Sequence, residues 1–293
     1  MDPIIRRRQV GEKLRRLREA AGKSQADVMA AMEWSKSKVN RIETGSVGVG
    51  KSDLVALLRF YAVADADEIE ALVTDSRAAR RHSGWGEYRH LVSPEFYAFV
   101  AYEESALAIR SFQPLAVPGL LQTDDYAAAV TGWRARHDRV TVDALVKLRM
   151  RRQELLERSD GPAFFFLLSE AAISYHIGEN GVMRGQLKRL MTHAQEPNVT
   201  LRIVPFSAGL HPRWRDPYVV LEVGDRGSRT LEDLVLYIED PRGELVISER
   251  AAANTTLRPS VWLDDHRDLE ERAGDLDATM ATLEAALARL PRS

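Results

Sequence analysis

Five side chains in one short run carry the clearest chemistry of this sequence: Lys36, Ser37, Lys38, Asn40 and Arg41. Each can hydrogen-bond a base edge or a phosphate. Arg and Lys donate to guanine, Asn bonds adenine in bidentate fashion, and Ser serves base or phosphate alike. Val39 and Ile42, three residues apart, fall on the opposite side of a helix. The run therefore predicts a short helix with an apolar underside and an outer face of hydrogen-bonding groups. That shape suits the DNA major groove, which admits one α-helix.

The elements that must present this face are legible around it. Ser35 is placed to N-cap the short helix. Ahead of it, Ser24 can cap another helix, with Asp27 in the capping-box position and Val28 and Met32 on one face. Glu33 and Trp34 interrupt the pattern, so Ser24 to Gly45 reads as two short helices joined by a tight turn. Gly45 can end the second helix in a left-handed conformation. Upstream, Val10, Leu14, Leu17 and Ala21 form a stripe at helical spacing, with Arg15, Arg16 and Arg18 between them. Downstream, Lys51 to Val63 repeats the pattern through Leu54, Leu57, Leu58 and Tyr61, with Ser52 as its expected N-cap. A solvated helical hairpin shares the two-helix periodicity; the flanking helices argue for a compact DNA-binding head.

The run LRRLREAAGKSQADVMAAM followed by SKSKVNRIETG resembles the Xre-type, or lambda-repressor-like, helix-turn-helix family. That resemblance implies that Gln25 reaches the DNA backbone and braces the recognition helix, and that Ser35, Lys36, Ser37, Lys38, Asn40 and Arg41 meet the groove. It also implies a buried ion pair between Arg18 and Glu43, a structural role.

Charge is divided along the chain. Of 41 Lys and Arg and 43 Asp and Glu, residues 1–59 hold 13 and 7, a net of +6, which leaves −8 for the rest. A basic head on an acidic body is steered toward phosphate by the head. Arg6-Arg7-Arg8 reads as a basic N-terminal arm, either solvated or set in a minor groove. The 293 residues exceed what a helical head needs and point to two domains. With 45% hydrophobic and 29% charged residues, no apolar run of spanning length and no hydrophobic leader, a soluble cytoplasmic protein away from membranes is expected. The absence of cysteine rules out disulfides, thiolate metal sites and a cysteine nucleophile.

The expected organisation is an all-α helix-turn-helix domain over 1–75, a connector over 76–92 and a mixed α/β (α+β) domain over 93–293, a small sheet flanked by helices. The boundary falls around Thr74 to Tyr88, after a last helix from Ala66 to Arg81. Helices are expected over Pro94 to Ile109, after Thr123, over Asp143 to Arg158 and over Val182 to Ala194. Four β-rich runs follow from AFFFLLS, VTLRIVP, YVVLEV and LVLYIE, the first two joined by a parallel crossover and the last two joined through GDRGSRT as a hairpin or as near neighbours, with the strand order open. Leu269, Leu276, Met280, Leu283, Leu287 and Leu290 form a stripe that reads either as a coiled-coil seam between subunits or as packing on the helix's own domain.

VPGLLQTDDYA, RRQELL, QLKRLM and NVTLRIVPFSAGLH, in that order, resemble the uncharacterised C-terminal domain fused to Xre-type heads in antitoxin-like actinomycete regulators. The resemblance implies a transcriptional regulator with a small acidic companion protein as a partner. His176, His193, His211, Glu170 and Asp216 are the groups best able to do chemistry, but they match no metal-ligand or nucleophile spacing, so no catalysis, metal or cofactor is expected. His211, Arg213, Trp214 and Arg215 follow a strand and offer a stacking surface and cations for an effector or an acidic segment. The sum is a dimeric, sequence-specific regulator of double-stranded DNA, with a protein-interaction module acting on its companion as the rival reading.

Overall fold

The computed structural model describes residues 2–79, 84–135, 139–223, 233–240, 243–252 and 254–291. It divides into two compact units, Met1–Arg89 and His90–Ser293. Among the described residues no helix is long and apolar enough to cross a membrane.

The first unit contains five α-helices among its described residues: α1 (Pro3–Ala20), α2 (Gln25–Met32), α3 (Lys36–Glu43), α4 (Lys51–Phe60) and α5 (Ala66–Ala78). Asp2 caps α1 by accepting the Ile4 N–H at 2.6 Å, and Pro3 supplies a φ suited to the first turn. The cap corrects one expectation. Arg6, Arg7 and Arg8 are helical residues of α1 and form no separate arm, and Arg6 donates to Asp75 of α5 at 2.7 Å. Ser52 also sits inside α4, whose N-cap is Gly50. The expected stripes converge on one core: Val10, Leu14, Val28, Val39, Ile42, Leu54, Leu57, Leu58 and Tyr61 are all buried. Each such side chain contributes about 1.5–3 kcal/mol through burial.

Two glycines let α1 approach α3 closely. A Cβ on Gly11 would lie 2.4 Å from the Ile42 carbonyl oxygen. Gly45, at φ +69°, ends α3 in the left-handed region, and a Cβ there would lie 2.5 Å from the Arg8 Cα.

The second unit is built on a six-stranded sheet of order β3-β2-β1-β4-β5-β6. In chain order its elements are α6 (Pro94–Glu104), β1 (Ala106–Gln113), α7 (Asp124–Ala135), α8 (Arg139–Gln153), β2 (Ala163–Ser169), α9 (Glu170–Ser174), α10 (Asn180–His193), β3 (Val199–Val204), β4 (Tyr218–Val223), β5 (Leu234–Asp240), β6 (Gly243–Ser248), α11 (Pro259–Arg272) and α12 (Leu276–Arg289). β1, β2 and β3 run parallel, while β4, β5 and β6 continue antiparallel from β1. The four expected strands are present, including the β2–α10–β3 crossover and the β4–β5 pairing. GDRGSRT lies outside the described residues.

Tyr237 of β5 stacks on Phe99 of α6, with ring centroids 4.1 Å apart. Its neighbours Leu236 and Ile238 pack with Trp262 and Leu263 of α11. Successive strand residues point to opposite faces, so α6 and α11 cover opposite sides of the sheet.

Three expectations are corrected here. The helix begun at Pro94 stops at Glu104, and Ala106 to Gln113 forms the central strand β1. The charged helix begins earlier, at Arg139, and gives way at Glu154 to a 3-10 turn. The leucine stripe is divided between α11 and α12, which break at Ala273 to Asp275. Leu269 and Leu283 are buried within their own unit, while Leu276 is exposed, so the stripe is not one continuous seam.

Candidate nucleic-acid interface

The start of α2 and the turn from α2 into α3 are each fixed by local hydrogen bonds. Ser24 Oγ accepts the Asp27 N–H at 3.2 Å, and the Asp27 carboxylate accepts the Ser24 N–H at 2.7 Å. These bonds from Ser24 also hold the Asp27 carboxyl below its ordinary pKa. Glu33 ends α2 at φ 54°, in the left-handed region, and the Trp34 N–H reaches back to the Met29 carbonyl at 3.0 Å. Ser35 then opens α3 by accepting the Lys38 N–H at 3.2 Å.

On α3, Val39 and Ile42 are buried while Lys36, Ser37, Asn40 and Arg41 are exposed. Ser37, Asn40 and Arg41 share one face at i, i+3 and i+4. Lys38 is placed differently. Its ammonium lies 3.1 Å from the Asp53 carboxylate and 3.7 Å above the Trp34 ring, which turns it from the row toward α4. Gln25 donates to Glu43 Oε2 at 2.8 Å, so the amide braces the foot of α3.

Glu43 is the hinge of that bracing. Arg18 on α1 donates to it through Nε at 2.6 Å and Nη2 at 3.2 Å, and Arg18 Nη1 donates to the Lys23 carbonyl at 2.8 Å. Both side chains are buried. The Glu43 hydrogen bond raises the Arg18 pKa against the opposing cost of burial. Burial pushes the neighbouring Tyr61 up to about 12. The result fixes α3 from beneath and leaves its polar face outward.

In the second unit, the four residues expected to form an effector site are divided among separate contacts. His211 meets the edge of Phe112 at 5.0 Å. Arg213 donates to Asp265 at 2.7 Å and lies 3.8 Å over Trp262. Arg215 lies 4.2 Å over Trp214, which is 42% exposed. The structure thus pairs Trp214 with Arg215 and commits Arg213 to α11. Of the histidines, His193 shares a hydrogen bond with Glu196 at 3.0 Å, while Glu170 accepts the Phe206 N–H at 3.0 Å.

The motifs of this unit converge elsewhere. Gln122 donates to the Val117 carbonyl at 2.6 Å, and Gln153 donates to the carbonyls of Gly119 and Gln122, each at 2.8 Å. Gln186 donates to the Leu121 carbonyl at 2.7 Å and accepts the Thr123 N–H at 2.8 Å. Three glutamine amides therefore satisfy backbone groups of a buried segment whose own ladder is limited to the single 3-10 turn at Gly119–Leu121. Arg149 joins by donating to Gln122 at 2.8 Å, and Arg189 donates to Gln153 at 2.6 Å. Nearby, Arg152 makes a bidentate pair with Glu103 at 2.7 and 2.8 Å. Burial alone would lower the Arg152 pKa, but attraction and hydrogen bonds from Glu103 carry it upward. Sequence reasoning missed Arg149, Arg152 and Glu103; the polar i, i+3, i+4 run Arg149, Arg152, Gln153 was the signal for a buried polar helix face.

Residues 9–72 match the family model of a helix-turn-helix domain, and residues 96–285 match that of a domain of unknown function (DUF5753). No curated protein and no solved structure matches the chain. The chain belongs to the family of that domain of unknown function and carries at its N-terminus a helix-turn-helix domain of the DNA-binding type.

Proposed function

We propose that the protein is a sequence-specific regulator of transcription with an Xre-type head, in which α3 enters a major groove. The observation that carries this reading is the exposed row Lys36, Ser37, Asn40 and Arg41 above a buried Val39 and Ile42. Arg41 and Asn40 read base edges, while Lys36 and Ser37, in the first turn of α3, hold phosphate or base. Lys38 works from the side, where exchange of Asp53 for a phosphate would make it a contact. Two heads of a dimer would read half-sites about 34 Å apart. The C-terminal unit receives the signal that shifts DNA affinity, which requires unequal binding to competent and incompetent states.

A second reading, the antitoxin-like module that binds a small acidic companion protein, is favoured by one region. Phe206, Leu210 and Trp214 are 64%, 74% and 42% exposed beyond the carboxyl end of β3, beside the cation of Arg215.

The test is binding of the full chain to DNA from its own upstream region across a salt series, beside Arg41→Ala and a Lys38→Ala/Arg41→Ala variant. Arg41→Ala is expected to lose about 1–3 kcal/mol for the specific site and little for competitor DNA. A uniform loss with a shallower salt slope would make Arg41 a phosphate contact. Weak binding, equal for all sequences and all three proteins, would favour the interaction module.

A further inference from the structure

Lys36, Ser37, Asn40 and Arg41 stand exposed on α3, while Lys38 is drawn aside toward α4. Its ammonium lies 3.1 Å from the Asp53 carboxylate and 3.7 Å above the Trp34 ring. Asp53 belongs to the first turn of α4, three residues past the N-cap Gly50, where a negative charge suits the helix dipole. The two side chains are 42% and 43% exposed, so water and ions reach the pair. A pair so open is held weakly and can be exchanged for another.

That exchange has a measurable signature. A lysine that reaches a phosphate from water frees about one DNA counterion, which adds about 0.9 to the slope of log affinity against log salt. Lys38 does not start from water. When it leaves Asp53 for a phosphate, the DNA releases a cation and the uncovered Asp53 attracts one. The two ion movements cancel, and the contact forms without steepening the salt dependence. The Trp34 ring attracts the ammonium but does not neutralise it, so without the Asp53 charge Lys38 would act as an ordinary free cation.

We infer that Asp53 is an internal substitute for DNA phosphate. It holds Lys38 in the free head, yields it on the duplex, and so restrains both the backbone affinity and its dependence on salt. The inference rests on the reading of α3 as the helix that meets DNA. A phosphate contact carries no sequence information, so the restraint acts on all duplexes alike and leaves base reading to Asn40 and Arg41.

The test follows the full chain on two labelled duplexes, one from its own upstream region and one scrambled, by fluorescence anisotropy from about 50 to 200 mM salt. Asp53→Asn keeps the shape and an acceptor for Lys38 but removes the charge. It is expected to bind both duplexes about two- to fivefold more tightly at the lowest salt, with a slope steeper than the parent's by about 0.9. Asp53→Glu, which keeps the charge, is expected to retain the parent's slope. Lys38→Ala should weaken binding at the parent's slope, and Lys38→Ala/Asp53→Asn should lose the steepening. Unchanged circular-dichroism spectra tie these differences to charge. Equal slopes for Asp53→Asn and the parent overturn the inference, as does a steepening that persists without Lys38. A Lys38→Ala slope shallower than the parent's by about 0.9 also overturns it, because Lys38 would then reach phosphate as a free cation. The expected slopes without preference between the duplexes would remove the sequence-specific reading and leave the exchange standing. No binding to either duplex removes both.

Discussion

The face of α3 and the inward face of α8 use the same residue types to opposite ends. On α3, Lys36, Ser37, Asn40 and Arg41 lie within six consecutive residues and face outward, while Arg18, Glu43 and Gln25 bond to one another beneath the helix. Beside α8, Arg149 and Arg152 face inward and meet groups from far along the chain, Gln122 and Glu103 among them. A surface that reads an external partner can be written in one short segment. A buried polar site cannot, because every charge taken from water needs a partner that only the tertiary fold delivers.

The two regions should differ most when their buried ion pairs are broken. Glu103→Ala leaves Arg152 charged and buried, and is expected to destabilise the C-terminal unit by about 3–5 kcal/mol in urea unfolding. Replacing both partners, Arg152→Met with Glu103→Leu, is expected to recover most of that loss. Glu43→Ala in the head strands Arg18 and Gln25 together and should cost about 3 kcal/mol. An equal and small loss in both units would mean that water reaches both sites.

Acid separates the units next. His266 is fully buried and shares a hydrogen bond with Tyr218 at 3.2 Å; burial, helped by the charge of Arg110, pushes its pKa from 6.5 down to about 3. The unfolded chain therefore takes the proton first. The stability this provides is complete above pH 6.5 and is lost as pH falls from there toward about 3. His193 and His211, also pushed down chiefly by burial, act with the same sign. The measurement is thus a difference: the melting temperature of His266→Gln should fall less steeply than that of the parent between pH 6.5 and about 5, above the range where carboxylates titrate. Parallel slopes would show that His266 takes its proton in the folded state.

On the exposed face the expectation reverses. Arg41→Ala should change stability by no more than about 0.5 kcal/mol while costing the specific DNA affinity described above. A melting shift larger than that would make Arg41 part of the scaffold. Smallest is Glu33→Gly, which relieves a left-handed backbone at φ 54° and should raise the melting point of the head by an amount equivalent to about 0.5 kcal/mol.

The same contrast explains what the sequence disclosed. The capping box of Ser24 and Asp27, the Ser35 cap, the Val39 and Ile42 underside and the left-handed Gly45 are all set by neighbours within a few residues. The strand β1 was hidden because ALAIRSFQ continues a helix without a stop signal, and a central strand buried on both faces shows no alternation. The short edge strand β6, GELVIS, carried too little apolar pattern to stand apart. The motifs of Gln122, Gln153 and Gln186 were visible as strings, but their shared task of satisfying one irregular segment emerges only when three distant segments meet. His211, Arg213, Trp214 and Arg215 taught the reverse: nearness in sequence put them on one loop, yet Asp265 and Phe112 drew two of them into separate contacts.

One detail of the sheet margin bears on how the protein behaves when crowded. At β3 the Ile203 N–H bonds Thr279 Oγ1 at 3.3 Å, and the Ile203 carbonyl accepts the Gly274 N–H at 3.2 Å. A side-chain hydroxyl and a break between two helices thus occupy places where a foreign strand would otherwise pair. The margin is plugged by the chain's own last helices, so fibre-like growth through β3 would first require α12 to peel away.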